Sequence, residues 1–273
     1  MSRVHTRKEQ ILNLLVAHEE MKLETLVREL QVSEATVRRT LNDLQQDGKV
    51  IRTHGGVKLY KMRSFDYVFE QKFSKSVDEK RSIGRMAASL LESYDSVFFD
   101  SGTTVFRAAE AVANRVRADQ LKGLKVVTHS IIVAEVLGDL CEVILLGGAV
   151  RLYRMDCHGP VVEKNMQMFK ADKAFVGADG ISLKDGLMTT DEYTAKIAEE
   201  MIQRSSQSYL LVDSSKFESH SFVTISSLNA IDFIVTDDKL TDELRSSYME
   251  RDVEILTAPS GNEIILAGLK EDS

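Results

Sequence analysis

Ser33-Glu34-Ala35-Thr36-Val37-Arg38-Arg39-Thr40-Leu41-Asn42-Asp43-Leu44 is the stretch on which the reading of the first 60 residues turns. At about 100° per residue, Val37, Leu41 and Leu44 share one stripe, and Arg39 points the opposite way with Ala35, Asn42 and Gln46 beside it. Thr36 and Arg38 flank that outer face. Ser33 is a good N-cap and Gly48 a good stop, so the spacing predicts a helix from Glu34 to Asp47. Upstream, Leu23, Leu26, Val27 and Leu30 have helical spacing, and Gln31-Val32-Ser33 breaks it. Further upstream, Thr6 and Glu9 have capping-box spacing ahead of Ile11, Leu12, Leu14 and Leu15. Downstream, strand-favouring residues from Val50 to Leu59 flank Gly55-Gly56 and read as a hairpin. Three helices and a hairpin in this order predict a winged helix-turn-helix over residues 1–60.

The outer face of the third helix carries residue types that donate to phosphate oxygens or read purine edges in a major groove. The candidate DNA-contacting residues are Ser33, Ala35, Thr36, Arg38, Arg39 and Asn42 on the helix, with Arg52 and His54 on the hairpin. Charge fits this division of labour. The whole chain of 273 residues is −7. Residues 1–60 carry ten Lys/Arg against eight Asp/Glu, and the remainder carries 25 against 34. A slightly basic head on an acidic body suits a module that meets DNA attached to a body that DNA repels. Two alternatives stay open on periodicity alone: an ordinary solvated face of a three-helix bundle, or a helix-turn-helix that meets protein or RNA. The head has no Phe, Trp or Tyr before Tyr60, which argues against stacking on single-stranded bases.

Residues 61–77 read as a linker with a partly packed helix. From 78 to 257 short apolar strands alternate with helices, implying a mostly parallel α/β sheet covered on both faces. Residues 258–273 form a tail. Several loops after strands are rich in glycine and hydroxyls, and ligands in parallel sheets bind beyond the carboxyl ends of strands. Asp100-Ser101-Gly102-Thr103-Thr104 joins a strand to a helix start, a ready site for a phosphate. Thr128-His129-Ser130, Gly147-Gly148, Gly177-Ala178-Asp179-Gly180 and Asp213-Ser214-Ser215-Lys216-Phe217 follow other strands. The candidate effector-binding residues are therefore Asp100, Ser101, Gly102, Thr103, Thr104, His129, Gly147, Gly148, Asp179 and Lys216. Lys216 would complete the phosphate site as a point charge, and Asp179 would accept from sugar hydroxyls. Read singly, Asp179 could equally be a turn residue, Lys216 a surface lysine and His129 a satisfied structural histidine. Cys141 and Cys157 form no C-x-x-C pair and read as reduced thiols. No metal-ligand cluster and no Ser-His-Asp spacing stands out. With no apolar run near 18 residues and no signal peptide, the expected location is cytoplasmic.

The Ser33–Leu44 motif, with Arg7 upstream and Thr53-His54-Gly55-Gly56 downstream, resembles the DeoR-type bacterial repressors. One departure is Thr40, where the family usually has Asp; its loss would leave Arg38 or Arg39 less tethered without disturbing the fold, since position 40 lies off the core stripe. The resemblance runs through the body at Asp100–Thr104, Gly147–Gly148, Phe175–Gly180 and Asp213–Phe217, so from Arg7 to Asp237. It implies a sensor domain related in fold to ribose-5-phosphate isomerase. That enzyme has two acids bracketing a Gly-Ala pair, whereas Val176-Gly177-Ala178-Asp179 keeps only the second, which implies a pocket that binds without catalysing. The family often has Asn where His129 stands. The resemblance further implies a sequence-specific transcriptional repressor of a carbohydrate-metabolism operon. Its partners would be double-stranded operator DNA, a phosphorylated sugar effector and further copies of the chain in a homodimer or homotetramer; no cofactor and no membrane are implied. The competing readings are a sugar-phosphate isomerase or hydrolase with a DNA-binding head, and a structural scaffold.

Overall fold

The computed structural model describes residues 3–18, 20–46, 50–53, 55–59, 69–251 and 253–261. The chain divides into two units, Met1–Asp66 and Tyr67–Ser273.

In the smaller unit, helix α1 spans Arg3–His18, strand β1 Glu20–Lys22, α2 Leu23–Leu30, α3 Glu34–Gln46, β2 Val50–Thr53 and β3 Gly56–Leu59. The α1 helix begins ahead of Thr6, so the Thr6–Glu9 spacing lies inside the helix and does not mark its start. The break after α2 is Gln31, whose φ of 51° is left-handed and ends the helix. Gly48 and His54, expected as a helix stop and a wing contact, lie outside the described residues. Gly55 takes a φ of 83°, which glycine adopts freely, and turns β2 into β3. Strand β1 is not legible in the sequence, because three residues carry no readable period. It pairs antiparallel with β3 and completes a sheet of order β1-β3-β2. A side chain at Gly56 would lie 2.7 Å from the Met21 carbonyl, so glycine is what permits this pairing. Ile11, Leu15, Leu26, Val37, Leu41 and Leu44 close the core with Val50 and Val57.

The larger unit begins with helix α4 (Phe69–Phe73) and α5 (Val77–Ser89), then β4 (Ser96–Phe99), α6 (Thr103–Arg117), β5 (Lys125–Thr128), α7 (Ile131–Leu137) and β6 (Glu142–Leu145). A hairpin of β7 (Ala149–Arg151) and β8 (Asp156–His158) precedes α8 (Pro160–Met166) and β9 (Ala171–Val176). Next come β10 (Gly180–Ser182), β11 (Gly186–Thr189), α9 (Glu192–Gln203), β12 (Ser205–Leu211) and β13 (Val223–Ser226). Strand β14 (Phe233–Asp237), α10 (Asp242–Met249) and β15 (Glu254–Ala258) follow. Within the stretch read as a linker, α4 packs on this unit: Phe69 is buried and pairs with Phe73 and Phe106. The unit therefore starts before residue 78.

Seven strands form one sheet of order β15-β14-β12-β9-β4-β5-β6, every pair parallel. Side chains alternate across it, as strand geometry requires. Val97 and Phe99 join Ile83, Val105 and Val133 from α5, α6 and α7 on one face. Phe98 joins Val162, Ala198 and Tyr248 from α8, α9 and α10 on the other. Both faces are thus covered, as the near-continuous apolar strands predict. From β4 the chain winds outward through β5 and β6, and from β9 it winds the other way through β12, β14 and β15. The order therefore reverses between β4 and β9, and the crevice beyond their carboxyl ends is where such sheets bind ligands. A three-stranded antiparallel sheet, β10-β11-β13, is added beside this sheet. No helix among the described residues is long and apolar enough to cross a membrane.

Candidate functional site

In the smaller unit the outer face of α3 is exposed at Ala35, Arg38, Arg39 and Asn42. Ser33 caps the helix: the Thr36 amide donates to its carbonyl at 2.9 Å, and the two hydroxyls sit 2.8 Å apart. Arg38 donates to Glu34 one turn back, at 2.8 Å from Nε and 2.6 Å from Nη2. An exposed pair of this spacing contributes only about 0.3–0.5 kcal/mol, so a phosphate can draw Arg38 away at little cost. Arg39 has no ion pair with any described residue. Arg52, from β2, donates to Asn42 Oδ1 at 2.8 Å and to the Arg38 carbonyl at 3.2 Å, bracing the wing against the helix. The Asn42 amide nitrogen is left to face outward chemistry. Thr40 is a correction to the helical-wheel reading. It is buried, 3% exposed, and its hydroxyl donates to the Thr36 carbonyl at 2.9 Å. It points inward beside the core stripe because the helix is also covered on that flank. The arginine tether expected from an acid at 40 is supplied by Glu34.

In the larger unit a cleft of about 100 Å³, open to solvent, lies at the reversal between β4 and β9. The β4–α6 turn forms its floor. Gly102 is the N-cap of α6, and its carbonyl accepts from Phe106 N at 2.9 Å. The amides of the first helical turn have no partner within the helix and carry the positive end of its dipole. The Thr103 and Thr104 hydroxyls make no hydrogen bond with a described residue, and both line the cleft. A short turn after β12, capped by Asp213 accepting from Ser215 N at 3.1 Å, presents Lys216 to the same space. Lys72, Lys75, Lys80 and Arg154 also line it, so five cations face three carboxylates: Asp100, Asp179 and Asp213. Lys72 donates to Asp179, whose other oxygen accepts from Thr189 at 3.3 Å. Burial lowers the Lys72 ammonium despite the neighbouring Asp179 charge. Burial also lowers Lys80, to about 8, with Asp213 opposing the shift. The net positive, partly desolvated lining favours an anion.

Asp100 lines the floor but is already occupied. It accepts from Ser101 N at 2.7 Å and His129 Nε2 at 3.0 Å on one oxygen, and from Gly177 N at 3.1 Å on the other. Burial pushes its carboxyl up, yet the His129 bond and charge and the two amide bonds outweigh burial and hold it below the carboxylate range. His129 is fully buried. Burial would lower it, and the Asp100 bond, with the Asp100 and Asp156 charges, raises it above the usual imidazole value. It stands behind the cleft wall. Ser101 donates to Asp156 at 3.2 Å. Asp156 in turn receives a bidentate Arg151 at 2.9 Å from both nitrogens. Gly147 and Gly148 do not line the cleft. A side chain at Gly148 would lie 2.6 Å from the His158 carbonyl, so that glycine serves the approach of β8.

The structure thus brings Asp100, Ser101, Gly102, Thr103, Thr104, Asp179 and Lys216 together around one cleft, and sets His129, Gly147 and Gly148 outside its lining. Sequence reasoning missed Lys72, Lys75, Lys80 and Arg154. The first two sit in the stretch read as linker. The spacing of Phe69 and Phe73, one helical turn apart, was the available signal that this stretch packs. Arg154 follows Arg151 at helical spacing but lies in a turn, where no period marks it. Its guanidinium reaches Thr190 at 3.0 Å, Thr194 at 3.1 Å and Asp191 at 3.2 Å.

A winged helix-turn-helix with an unpaired arginine on its third helix, on the same chain as an α/β unit with a cation-lined cleft, defines a ligand-responsive DNA-binding regulator. Residues 7–63 match the family model of the DeoR-like helix-turn-helix domain, and residues 75–238 match that of the DeoR C terminal sensor domain. The chain belongs to the DeoR family. It is similar to the HTH-type transcriptional repressor GlcR of Bacillus subtilis, 34% identical over 90% of this chain and 93% of that protein. It is also 30% identical to the lactose phosphotransferase system repressor of Lactococcus lactis, over 87% of this chain and 92% of that one. Among solved structures, ribose 5-phosphate isomerase A of Methanocaldococcus jannaschii matches distantly, with a TM-score of 0.40 and 16% identity over 52% of this chain and 55% of that chain. The protein is therefore a DNA-binding transcriptional regulator, and the reading as an isomerase with a DNA-binding head gives way to it. DNA and a small-molecule effector are its partners.

Proposed function

We propose that the protein is a cytoplasmic repressor of a carbohydrate-metabolism operon whose effector is a phosphorylated sugar, bound in the cleft at the β4–β9 reversal. The observation that carries the reading is the surplus of cationic side chains around the first turn of α6, with hydroxyls and a carboxylate arranged beside it. The phosphate sits on the amides and hydroxyls of Thr103 and Thr104 with Lys216 as counter-charge. Asp179 accepts from the sugar hydroxyls. The names of the GlcR and lactose-system relatives support a sugar-linked role. Double-stranded operator DNA receives α3 in its major groove, with Arg39 as the leading contact and Arg38 released to phosphate or base. The chain acts as a homodimer or homotetramer, since two-fold symmetric copies read paired half-sites.

The test is a titration of the full chain against a duplex that it selects from a random-sequence pool. Arg39→Ala is expected to weaken binding by about 5- to 150-fold, corresponding to about 1–3 kcal/mol for a lost base contact, with an unchanged circular dichroism spectrum. Lys216→Ala and Thr103→Ala are expected to keep DNA affinity and to lose its response to a phosphorylated sugar. Unchanged DNA affinity in Arg39→Ala, or a full sugar response in both cleft variants, would overturn the assignment.

A further inference from the structure

We infer that α4 and the residues that follow it, 74–76, form a strap that couples the cleft to DNA binding, and that the Lys72–Asp179 ion pair is the contact the effector phosphate exchanges. The inference rests on the effector reading of the cleft.

The strap is built unlike the rest of its unit. A five-residue helix is not stable by itself, and α4 joins neither of the two large cores. Phe69 is buried with Ile132 in a separate small cluster, against Phe73 and Phe106. The Phe69 and Phe73 rings stack with centroids 5.6 Å apart, and each meets Phe106, at 6.0 and 5.7 Å. The Arg107 guanidinium lies 3.9 Å from the Phe73 ring centroid. Phe106 and Arg107 are in the first turns of α6, the helix whose start forms the anion floor. The beginning of the strap is tied by Phe69 N donating to the Tyr153 carbonyl at 3.0 Å, one residue before the cleft residue Arg154. Its end is tied by Lys80, 4% exposed, which donates to the carbonyls of Lys72 at 2.5 Å and Lys75 at 2.8 Å. Each tie thus ends on, or one residue from, a group that lines the cleft.

A ligand shifts a conformational equilibrium only through a contact that differs between the states. Lys72 supplies such a contact. Its partner Asp179 is a single carboxylate that also accepts from Thr189, and a sugar phosphate brings a dianion for the ammonium together with hydroxyls for the carboxylate. Both members of the pair then find new partners, and the strap is re-anchored on the ligand. In the sequence only residues 60–68 separate the strap from β3 of the DNA-binding unit, so the element re-anchored is the one from which that unit is tethered.

The experiment has two arms on the full chain. In the first, wild-type protein is screened by melting temperature against glucose 6-phosphate, fructose 1-phosphate and ribose 5-phosphate. Hydrogen exchange over residues 69–76 is then followed with the sugar that gives the largest shift. Exchange in this segment is expected to change by about tenfold or more on binding. In the second arm, the ratio of DNA dissociation constants with and without saturating sugar is measured for wild type, Lys72→Met and Lys72→Arg. A wild-type ratio of tenfold or more is expected to fall to about one in Lys72→Met and to recover in part in Lys72→Arg. A group that only contacted the ligand would weaken sugar binding yet leave the ratio intact at saturation. A wild-type melting shift with unchanged exchange at 69–76, or a wild-type ratio in saturated Lys72→Met, overturns the coupling alone. No melting shift with any of the three sugars overturns the effector reading and the coupling with it.

Discussion

The Asp100 and His129 pair illustrates how far a residue's neighbours decide its work. In the sequence Asp100 opens a hydroxyl-rich loop and reads as a ligand contact. In the fold its oxygens are taken by His129 and by two amides, so it sets the turn on which the cleft floor is built. Its buried partner should give the protein a pH signature. The His129 pKa is raised above the ordinary imidazole value of 6.5. Its contribution to stability is therefore complete below pH 6.5 and is lost as pH rises through the raised value. Asp100, depressed below 3.8, contributes above that pH and fails as acid titrates it. Urea denaturation at about pH 5.5 and about pH 8.5 is expected to show lower stability at the alkaline point. His129→Asn should be less stable overall and should lose most of that difference. An unchanged difference in the variant would remove His129 as its source.

Elements place the cleft through close approaches that only glycine allows. Helices α5 and α6 pack at Gly84, where an added Cβ would lie 2.6 Å from the Arg107 carbonyl carbon and 2.9 Å from Ala108 N. Both atoms are backbone and cannot swing aside, so the helices must part. Gly84→Ala is expected to cost about 1–3 kcal/mol and to weaken phosphate binding, because α6 carries the floor on its first turn. Gly147→Ala is the contrast: its Cβ would meet no atom within 4 Å, and the change should stay within about 0.5 kcal/mol. Denaturant midpoints of the two variants check both. The sequence did not separate these glycines. Gly147-Gly148 is a visible pair after a strand, whereas Gly84 lies singly in its stretch of sequence and carries no pattern that marks a close approach.

At the scale of the molecule, the two units have cores with no residue in common. A unit of about 60 residues buries a smaller share of its surface than one of about 200 and is the more marginal. Scanning calorimetry is expected to resolve two transitions. Saturating sugar phosphate should raise the transition of the larger unit, by about 2.7 kcal/mol at a hundredfold excess over the dissociation constant, and move the smaller one less. A single transition that shifts as a whole would show that the units unfold together.

Local pattern sufficed for whatever depends on neighbours within one turn or one strand. The α3 stripe, the parallel strands, the Gly102 turn and the exposed Arg39 all follow from period and capping in the sequence itself. What the tertiary structure alone decided depends on groups distant along the chain: β1 pairing with β3, Thr40 turned inward, Lys72 brought to Asp179, and Arg154 brought to Asp191 and Thr194. A single lysine or arginine in a loop has no period. Its role is set by the charge and burial that folding places around it.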